Sequence, residues 1–208
     1  MPNLFSKLNG IELNTSPPPT PISKYLQLSY LEIGLFDGWC FPQINAGYKI
    51  SVDPEKNSEH LTHEMTSDEF FEQNTDMFDV IFIDGLHHSD QVYKDIMNSL
   101  DVLTPKGFIV CHDINPPNEE RQIIPMKEWP WNGDCWKAWV KIRNEERNLK
   151  MFVVDTDEGV GVITRGQQEL LRIKLTDELG YGLEYKDLDE NRKHYLNLIS
   201  VPDFERNY

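Results

Sequence analysis

The stretch FDVIFIDG, residues 78–85, is the most strand-like segment of the chain. Its β-branched and aromatic residues form one continuous apolar run, which is typical of a strand that is buried on both faces. The run ends in Asp84 and Gly85, so a carboxylate directly follows the last buried position. A strand of this kind predicts a parallel sheet covered by helices.

The residues that follow alternate between helical and strand patterns. SDQVYKDIMNSLDVL, residues 89–103, has apolar residues near helical spacing behind Ser89, the predicted N-cap. PKG then turns the chain into FIVCHD, residues 108–113, which predicts a second buried strand. GDCWKAWVKIRNEE, residues 133–146, predicts another helix.

The last third of the chain predicts a hairpin followed by helices. KMFVVDTDEGVGVITRG, residues 150–166, contains two apolar runs around DTDEG, and we expect residues 159–164 to form an antiparallel strand. Two helical patterns follow, QQELLRIKLTDEL at residues 167–179 and KDLDENRKHYLNLI at residues 186–199.

Upstream of residue 78 the same alternation is present. YLEIGL (residues 30–35) and YKISVDP (residues 48–54) predict strands, and SDEFFEQN (residues 67–74) predicts a helix with Ser67 as its N-cap. Together these patterns predict an α/β fold. It is Rossmann-like and doubly wound, with a mostly parallel seven-stranded sheet and an antiparallel terminal strand.

Three regions are expected along the chain. Residues 1–24 form an N-terminal arm and Pro-rich connector, because TSPPPTP at residues 15–21 cannot be a helix or a central strand. Residues 25–165 form the core, and residues 166–208 form a C-terminal helical extension.

Bulk composition excludes several classes of partner. The net charge of -15, from 35 acidic and 20 basic residues, would repel a phosphate backbone, so no nucleic-acid partner is expected. No apolar run approaches the roughly 20 residues of a membrane span, and the N-terminus has no apolar run typical of a signal peptide. The three cysteines, too few for a disulfide frame, favour reduced thiols and a cytoplasmic location. The sequence leaves the oligomeric state open, including a homo-oligomer.

A glycine loop follows the first predicted strand. Gly34 and Gly38 are typical either of a cofactor loop or of an ordinary turn. Asp53 lies 19 residues after Gly34, where an acid can accept both ribose hydroxyls of a nucleoside. The loop lacks the three-glycine spacing that seats a pyrophosphate, and it has no basic residue. A sulfonium cofactor, which tolerates Glu32, Asp37 and Asp53, is therefore favoured over a dinucleotide.

Acids also end two later strands. Asp84 and Asp113, with Asn115 nearby, offer the oxygen ligands that Mg²⁺ takes, although strand-end acids also commonly cap loops. His87 and His88 follow Asp84, and either could be a general base or a surface residue. His112 is a third candidate.

Tryptophans are concentrated in EWPWNGDCWKAW, residues 128–139. Trp136 and Trp139 fit the buried side of a helix, whereas Trp131, Asn132 and Asp134 are better candidates for a lid over an acceptor.

Several of these segments resemble class I S-adenosylmethionine-dependent methyltransferases, in particular the group similar to sugar and small-molecule O-methyltransferases. The resemblance covers roughly residues 25–164, and FIDGLHH is its most specific part. It is carried by the segments EIGLFDG, VDP, MTSDEFF, FDVIFIDGLHH, YKDIMNSLDVLTPKGFIVCHD and GVGVI.

The resemblance implies a role for each matching residue. The activity would be methylation of a hydroxyl on a small-molecule or sugar acceptor, with S-adenosylmethionine as cofactor and Mg²⁺ as a candidate metal. Glu32 would support the loop and the methionine amine, Gly34 and Gly38 would admit the methionine moiety, and Asp53 would hold the ribose. Ser67 and Asp68 would lie near adenine. Asp84 would contact the cofactor and would also bind the metal, together with Asp113 and Asn115. The catalytic candidates are His87, His88 and Asp113.

The sequence also departs from the pattern of catechol-type O-methyltransferases. Ile114 stands where those proteins have an amide, which leaves Asn115 as a displaced candidate. Two alternatives remain. One is an NAD(P)-dependent oxidoreductase, which usually needs a phosphate-seating loop and a Tyr/Lys pair; the other is a non-catalytic nucleoside-binding protein of the same fold.

Overall fold

The computed structural model describes residues 28–175 and 182–208. The N-terminal arm predicted for residues 1–24 lies outside the described residues. Within these two ranges no helix is both long enough and apolar enough to cross a membrane.

One mixed sheet forms the centre of the protein, with strand order β3-β2-β1-β4-β5-β7-β6-β8. Strand β7 runs antiparallel to both β5 and β6, and the other pairings are parallel. The strands are β1 Ser29–Ile33, β2 Tyr48–Asp53, β3 His63–Glu64, β4 Phe78–Ile83, β5 Leu103–Cys111, β6 Leu149–Val154, β7 Val160–Arg165 and β8 Leu198–Ile199. The predicted fold class and the antiparallel strand at residues 159–164 are therefore confirmed.

Four of the five described helices pack on one face of the sheet. The helices are α1 Ser67–Gln73, α2 Ser89–Asp101, α3 Cys135–Glu145, α4 Tyr185–Leu196 and α5 Val201–Asn207. Trp136 and Trp139 of α3 are fully buried in the core of that face, as predicted, together with Ile96 of α2 and Leu196 of α4. On the opposite face, Phe204 of α5 packs against β6 and β7.

Four sequence-based expectations need correction. The sheet has eight strands instead of seven, and Leu198–Ile199, predicted as the end of a helix, forms a short strand beside β6. The N-cap of α1 is Thr66, which forms a capping box with Glu69, so Ser67 is the first helical residue. Ser89 likewise begins α2, and its backbone N–H donates to Asp134 Oδ1 at 2.7 Å.

The fourth correction concerns the first helix predicted after the hairpin. Its described part, residues 167–175, is not helical. Instead the segment runs along α3, where the Leu171 N–H donates to the Arg143 carbonyl, and the Asn144 side chain bonds both the N–H and the carbonyl of Ile173. Residues 176–179 of that prediction lie outside the described residues.

Candidate functional site

A cavity of about 590 Å³ opens where the carboxyl ends of β1, β2, β4 and β5 meet. The strand order reverses here, since β1 pairs with β2 on one side and β4 on the other, and ligands of open α/β sheets bind at such a point. The predicted site residues that line it are Gly34, Asp53, Ser67, Asp68, Asp84, His87 and Asp113. Four separate strand ends thus contribute to one cavity, whereas Glu32, Gly38, His88 and Asn115 are not part of its wall.

The glycines of the loop are required by contacts within the chain. Gly34 has φ +85°, and a Cβ there would lie 2.2 Å from the Asp84 carbonyl oxygen. Gly38 has φ +76°, and its Cβ would lie 2.3 Å from Ser58 Oγ. Gly34 therefore lets the loop after β1 approach the end of β4, which differs from the expectation that both glycines make room for a ligand.

Asp53 holds the glycine loop from the end of β2. Its Oδ2 accepts the backbone N–H groups of Leu35 and Phe36 at 3.0 and 2.9 Å, and its Oδ1 accepts that of Glu55 at 2.9 Å. Because the carboxylate also lines the cavity, it is placed both to shape the loop and to meet a ligand.

Glu32 lies beneath the loop, away from the cavity wall. It is 1% exposed and accepts a hydrogen bond from the Tyr30 hydroxyl. Burial raises the pKa of Glu32 to about 8, and the hydrogen bond from Tyr30 only partly opposes that effect. Glu32 is thus paired with Tyr30 and is not part of the cavity wall, and its support of the loop and of the methionine amine stays a prediction.

The raised pKa of Glu32 predicts a pH-dependent stability. Between pH 4.5 and about 8 the folded protein retains a proton that the unfolded chain has released. The titration of Glu32 therefore makes the free energy of unfolding fall as pH rises through this window. Glu32→Gln removes the titration, so the difference in unfolding free energy, variant minus wild type, should increase from pH 5 to pH 8. Urea unfolding at both pH values measures it, and a difference that does not change with pH would contradict the assignment.

A polar cluster lines the cavity on the side of α1 and α2. Gln91 Nε2 lies 3.2 Å from Ser67 Oγ, 2.9 Å from Asp68 Oδ1 and 3.0 Å from Asp95 Oδ1. Burial raises the pKa of Asp95 to about 6. The sequence interpretation did not include Gln91 and Asp95, although two polar residues four apart on the buried side of a helix could have indicated them.

Two carboxylates and two imidazoles meet on the other side. His87 Nε2 lies 3.2 Å from Asp84 Oδ1, and His87 Nδ1 lies 3.4 Å from Asp113 Oδ2. His112 Nδ1 lies 3.4 and 3.5 Å from the same two oxygens, and its Nε2 lies 3.7 Å from Asp157 Oδ2. The two histidines therefore share both carboxylates.

This arrangement shifts the pKa values of the cluster. Burial would raise the pKa of Asp84, but hydrogen bonds from His112 and His87 hold it well below its usual range. Burial by itself would lower the pKa of His87, but the hydrogen bond to Asp84 and the charge of Asp84 outweigh burial and raise this pKa. The pKa of His112 is also raised despite burial, by Asp113, Asp157 and Asp84. The neighbouring carboxylates thus favour the protonated form of both imidazoles.

Asp113 is held in a left-handed backbone conformation, with φ 61°. Its Oδ1 accepts a 2.7 Å hydrogen bond from Asn132 Nδ2. Asn132 Oδ1 accepts in turn from Arg121 Nε at 3.2 Å, and the Arg121 guanidinium pairs with Glu158 at 3.0 Å. Arg121, which only donates, fixes the amide so that its N–H groups face Asp113.

Asn115 is not brought to this cluster. Its side-chain oxygen accepts from Arg192 of α4, and its amide donates to Asp155 at 3.1 Å. The amide beside Asp113 is that of Asn132, which is separated from Asp113 by 19 positions and was considered from sequence only as a lid residue.

The segment before α3 covers the histidines. The Trp131 ring stacks on His87 with 5.5 Å between centroids, and the Trp131 carbonyl oxygen lies 3.2 Å from His87 Nδ1. His88 occupies the N-cap position of α2 and meets Trp131 edge-on. The structure therefore distinguishes the adjacent histidines, because His87 contacts the carboxylates while His88 contacts the covering tryptophan.

Comparison with sequence families matches residues 36–114 to the family described as "Methyltransferase domain". This segment runs from the glycine loop to the residue after Asp113. A comparison with curated proteins finds no match.

Solved structures share the fold at low sequence identity. TomG from Streptomyces achromogenes, an O-methyltransferase of tomaymycin synthesis in complex with SAM, is 13% identical with TM-score 0.50, over 79% of this chain and 88% of that chain. A Klebsiella pneumoniae protein assigned as an O-methyltransferase is 12% identical with TM-score 0.50, over 79% and 88%. A Staphylococcus aureus protein assigned as a caffeoyl-CoA O-methyltransferase is 14% identical with TM-score 0.50, over 79% and 90%.

The sequence match covers Asp53, Asp84, His87 and Asp113, the residues at the strand ends around the cavity. The structural matches extend the shared fold over most of the chain. Residues 36–114 thus match a methyltransferase domain, and most of the chain shares the fold of these solved structures.

Proposed function

We propose that this protein is an O-methyltransferase that uses S-adenosylmethionine to methylate a hydroxyl of a small molecule or sugar. One observation carries the proposal: a single cavity runs from the glycine loop and Asp53 to the cluster of Asp84, His87, His112 and Asp113. A cofactor bound at the loop and an acceptor hydroxyl at the histidines would share that space.

The charge of the cavity supports this cofactor. Among the described residues that line it, the acids are Asp53, Glu55, Asp68, Asp84, Asp95 and Asp113, and none is lysine or arginine. A sulfonium and an amine are compatible with such a wall, whereas the pyrophosphate of NAD would meet carboxylates without a lysine or arginine beside them. The charge therefore disfavours the oxidoreductase alternative.

S-adenosylmethionine, when bound, supplies an electrophilic methyl group that passes to the acceptor oxygen as the sulfur–methyl bond breaks and the sulfonium becomes a neutral thioether. The chain must take up the proton of the acceptor hydroxyl. We assign this role to His87 in its neutral form, with Asp84 orienting the ring and stabilising the imidazolium that results. His112 is the weaker base candidate, because it faces three carboxylates and retains its proton more strongly.

A divalent metal also fits this cluster. Asp84, His87 and Asp113 each offer a ligand atom, and these atoms lie within 4.8 Å of one another. Carboxylate oxygens suit Mg²⁺, which would polarise the acceptor hydroxyl. We propose Asp84 and Asp113 as the metal-binding carboxylates. Asn115, expected as a third ligand from its position in the sequence, is engaged by Arg192 and Asp155.

The cytoplasmic location inferred from the sequence stays a proposal, supported by Cys40, Cys111 and Cys135, which form no disulfide.

Cofactor binding gives the direct test. Asp53→Ala should weaken S-adenosylhomocysteine binding by roughly 10- to 100-fold in calorimetry, because it removes the acid placed for the ribose and also loosens the loop. Asp37→Ala is the matched control, since Asp37 contacts the Trp39 N–H of the same loop outside the cavity wall and should leave affinity unchanged. Tight binding of NAD with no binding of S-adenosylhomocysteine would refute the proposed function.

A further inference from the structure

Three large apolar side chains stand exposed at the rim of the cavity. Phe36 is 66% exposed, Leu86 is 55% exposed and Trp129 is 74% exposed, and all three line the cavity. They come from three different loops, after β1, after β4 and before α3. Exposed apolar side chains that converge on a cavity are typical of a binding surface.

Phe36 is held in place by the backbone. It has φ 48°, a left-handed conformation that is uncommon for a bulky residue. Its N–H donates to Asp53 at 2.9 Å, which fixes the loop at this position. The ring is therefore presented at the rim by the same contact that shapes the cofactor loop.

No lysine or arginine of the cavity wall is available at the rim to receive an anionic acceptor. The described residues that line the cavity include no lysine or arginine. Two cations on neighbouring segments are already paired: Arg121 contacts Glu158 at 3.0 Å, and Lys94 contacts Asp68 at 3.3 Å. Lys127, on the segment that carries Trp129, is outside the cavity wall.

We propose that the acceptor is an uncharged alcohol built on an apolar ring, bound between Phe36, Leu86 and Trp129 with its hydroxyl toward His87. This inference rests on the proposed function and narrows it. With its hydroxyl toward His87, an acceptor that carries a carboxylate, a phosphate or coenzyme A would place the negative charge toward a rim that has apolar side chains and no described lysine or arginine, and would bind poorly. A free sugar ring would leave several hydroxyls against apolar side chains that offer no hydrogen bond.

The test uses matched ligands and two separate titrations of the full-length protein. The first measures S-adenosylhomocysteine binding alone, and its failure would count against the proposed function. The second measures, with and without S-adenosylhomocysteine, the binding of 2-naphthol, 6-hydroxy-2-naphthoate, the coenzyme A thioester of the latter, and methyl glucoside. We expect 2-naphthol to bind at least about tenfold more tightly than each of the others.

Three variants test where the acceptor contacts the rim of the cavity. Trp129→Ala should weaken 2-naphthol binding about tenfold without changing S-adenosylhomocysteine affinity. Leu86→Lys brings a cation to the rim and should reduce or reverse the preference over 6-hydroxy-2-naphthoate. Lys127→Ala is the control and should change neither affinity. Equal or tighter binding of an anionic ligand or of the glucoside to wild type, absence of 2-naphthol binding, or an unaltered affinity in Trp129→Ala would each overturn the proposal.

Discussion

Replacing His87 with alanine is expected to lower kcat by roughly 10²–10⁴-fold, which is the usual contribution of a general base. The variant loses the imidazole that lies 3.2 Å from Asp84 Oδ1 and 3.4 Å from Asp113 Oδ2 on the cavity wall. The acceptor hydroxyl would then have to lose its proton to water. Affinity for S-adenosylhomocysteine should be unchanged, because the hydrogen bonds that hold the glycine loop run from Leu35 and Phe36 to Asp53 and do not involve His87.

The adjacent histidine provides the matched control. His88 has the same chemistry and the same loop, but it meets the edge of Trp131 and is not part of the cavity wall. His88→Ala should therefore retain kcat within a few-fold of wild type. Single-turnover kinetics with saturating S-adenosylmethionine would separate the chemical step from binding. Comparable losses in both variants would indicate that the loop, and not the His87 imidazole, is what the reaction requires.

The strand ends were predictable from sequence for a simple physical reason. Asp53, Asp84 and Asp113 each lie within two residues of the end of a strand, and parallel strands bring their carboxyl ends to one edge of a sheet. Once the alternation of strands and helices predicts a parallel sheet, proximity of these acids follows without knowledge of the loops. The structure brings all three to one cavity wall.

Residues on long connections were not predictable in the same way. The expectation for Asn115 used closeness in sequence to Asp113. The left-handed turn at Asp113, with φ 61°, instead leads the chain to where the Asn115 side chain meets Arg192 of α4. Asn132 takes the place beside Asp113 through a connection whose path is set by tertiary contacts, including the Arg121 carbonyl that accepts the Asn132 N–H at 2.8 Å.

The non-helical path of residues 167–175 also depends on tertiary contacts that the local sequence does not reveal. Its apolar residues have a spacing compatible with a helix, and Leu171 is buried as an amphipathic helix would require. The sequence pattern does not reveal the neighbouring Asn144 side chain, which satisfies both backbone groups of Ile173 and favours a non-helical path. Tertiary hydrogen bonds thus override a local preference that is weak by itself.

Conversion of Asp84 or Asp113 to asparagine is expected to lower kcat by roughly 10²-fold or more, because each variant removes a fixed negative charge from the site. Both substitutions preserve size, and asparagine tolerates the left-handed conformation at position 113. If Asp84 and Asp113 hold Mg²⁺, wild-type protein should bind it in calorimetry and lose activity in chelator. Both variants should lose the Mg²⁺ binding and the response to chelator together with the rate.

Asp157→Asn is the matched control for the metal. The Asp157 carboxylate lies 3.7 Å from His112 Nε2 but is not one of the three residues whose ligand atoms converge. The variant removes one negative charge from the surroundings of His112, as the other two substitutions do, and it should retain Mg²⁺ binding. Loss of Mg²⁺ binding in all three variants would show a general response to net charge instead of coordination. The opposite outcome is full activity in chelator, with Asp84→Asn and Asp113→Asn as active as wild type. The assignment of both carboxylates to the chemistry would then be wrong, and the protein would act only by positioning cofactor and acceptor.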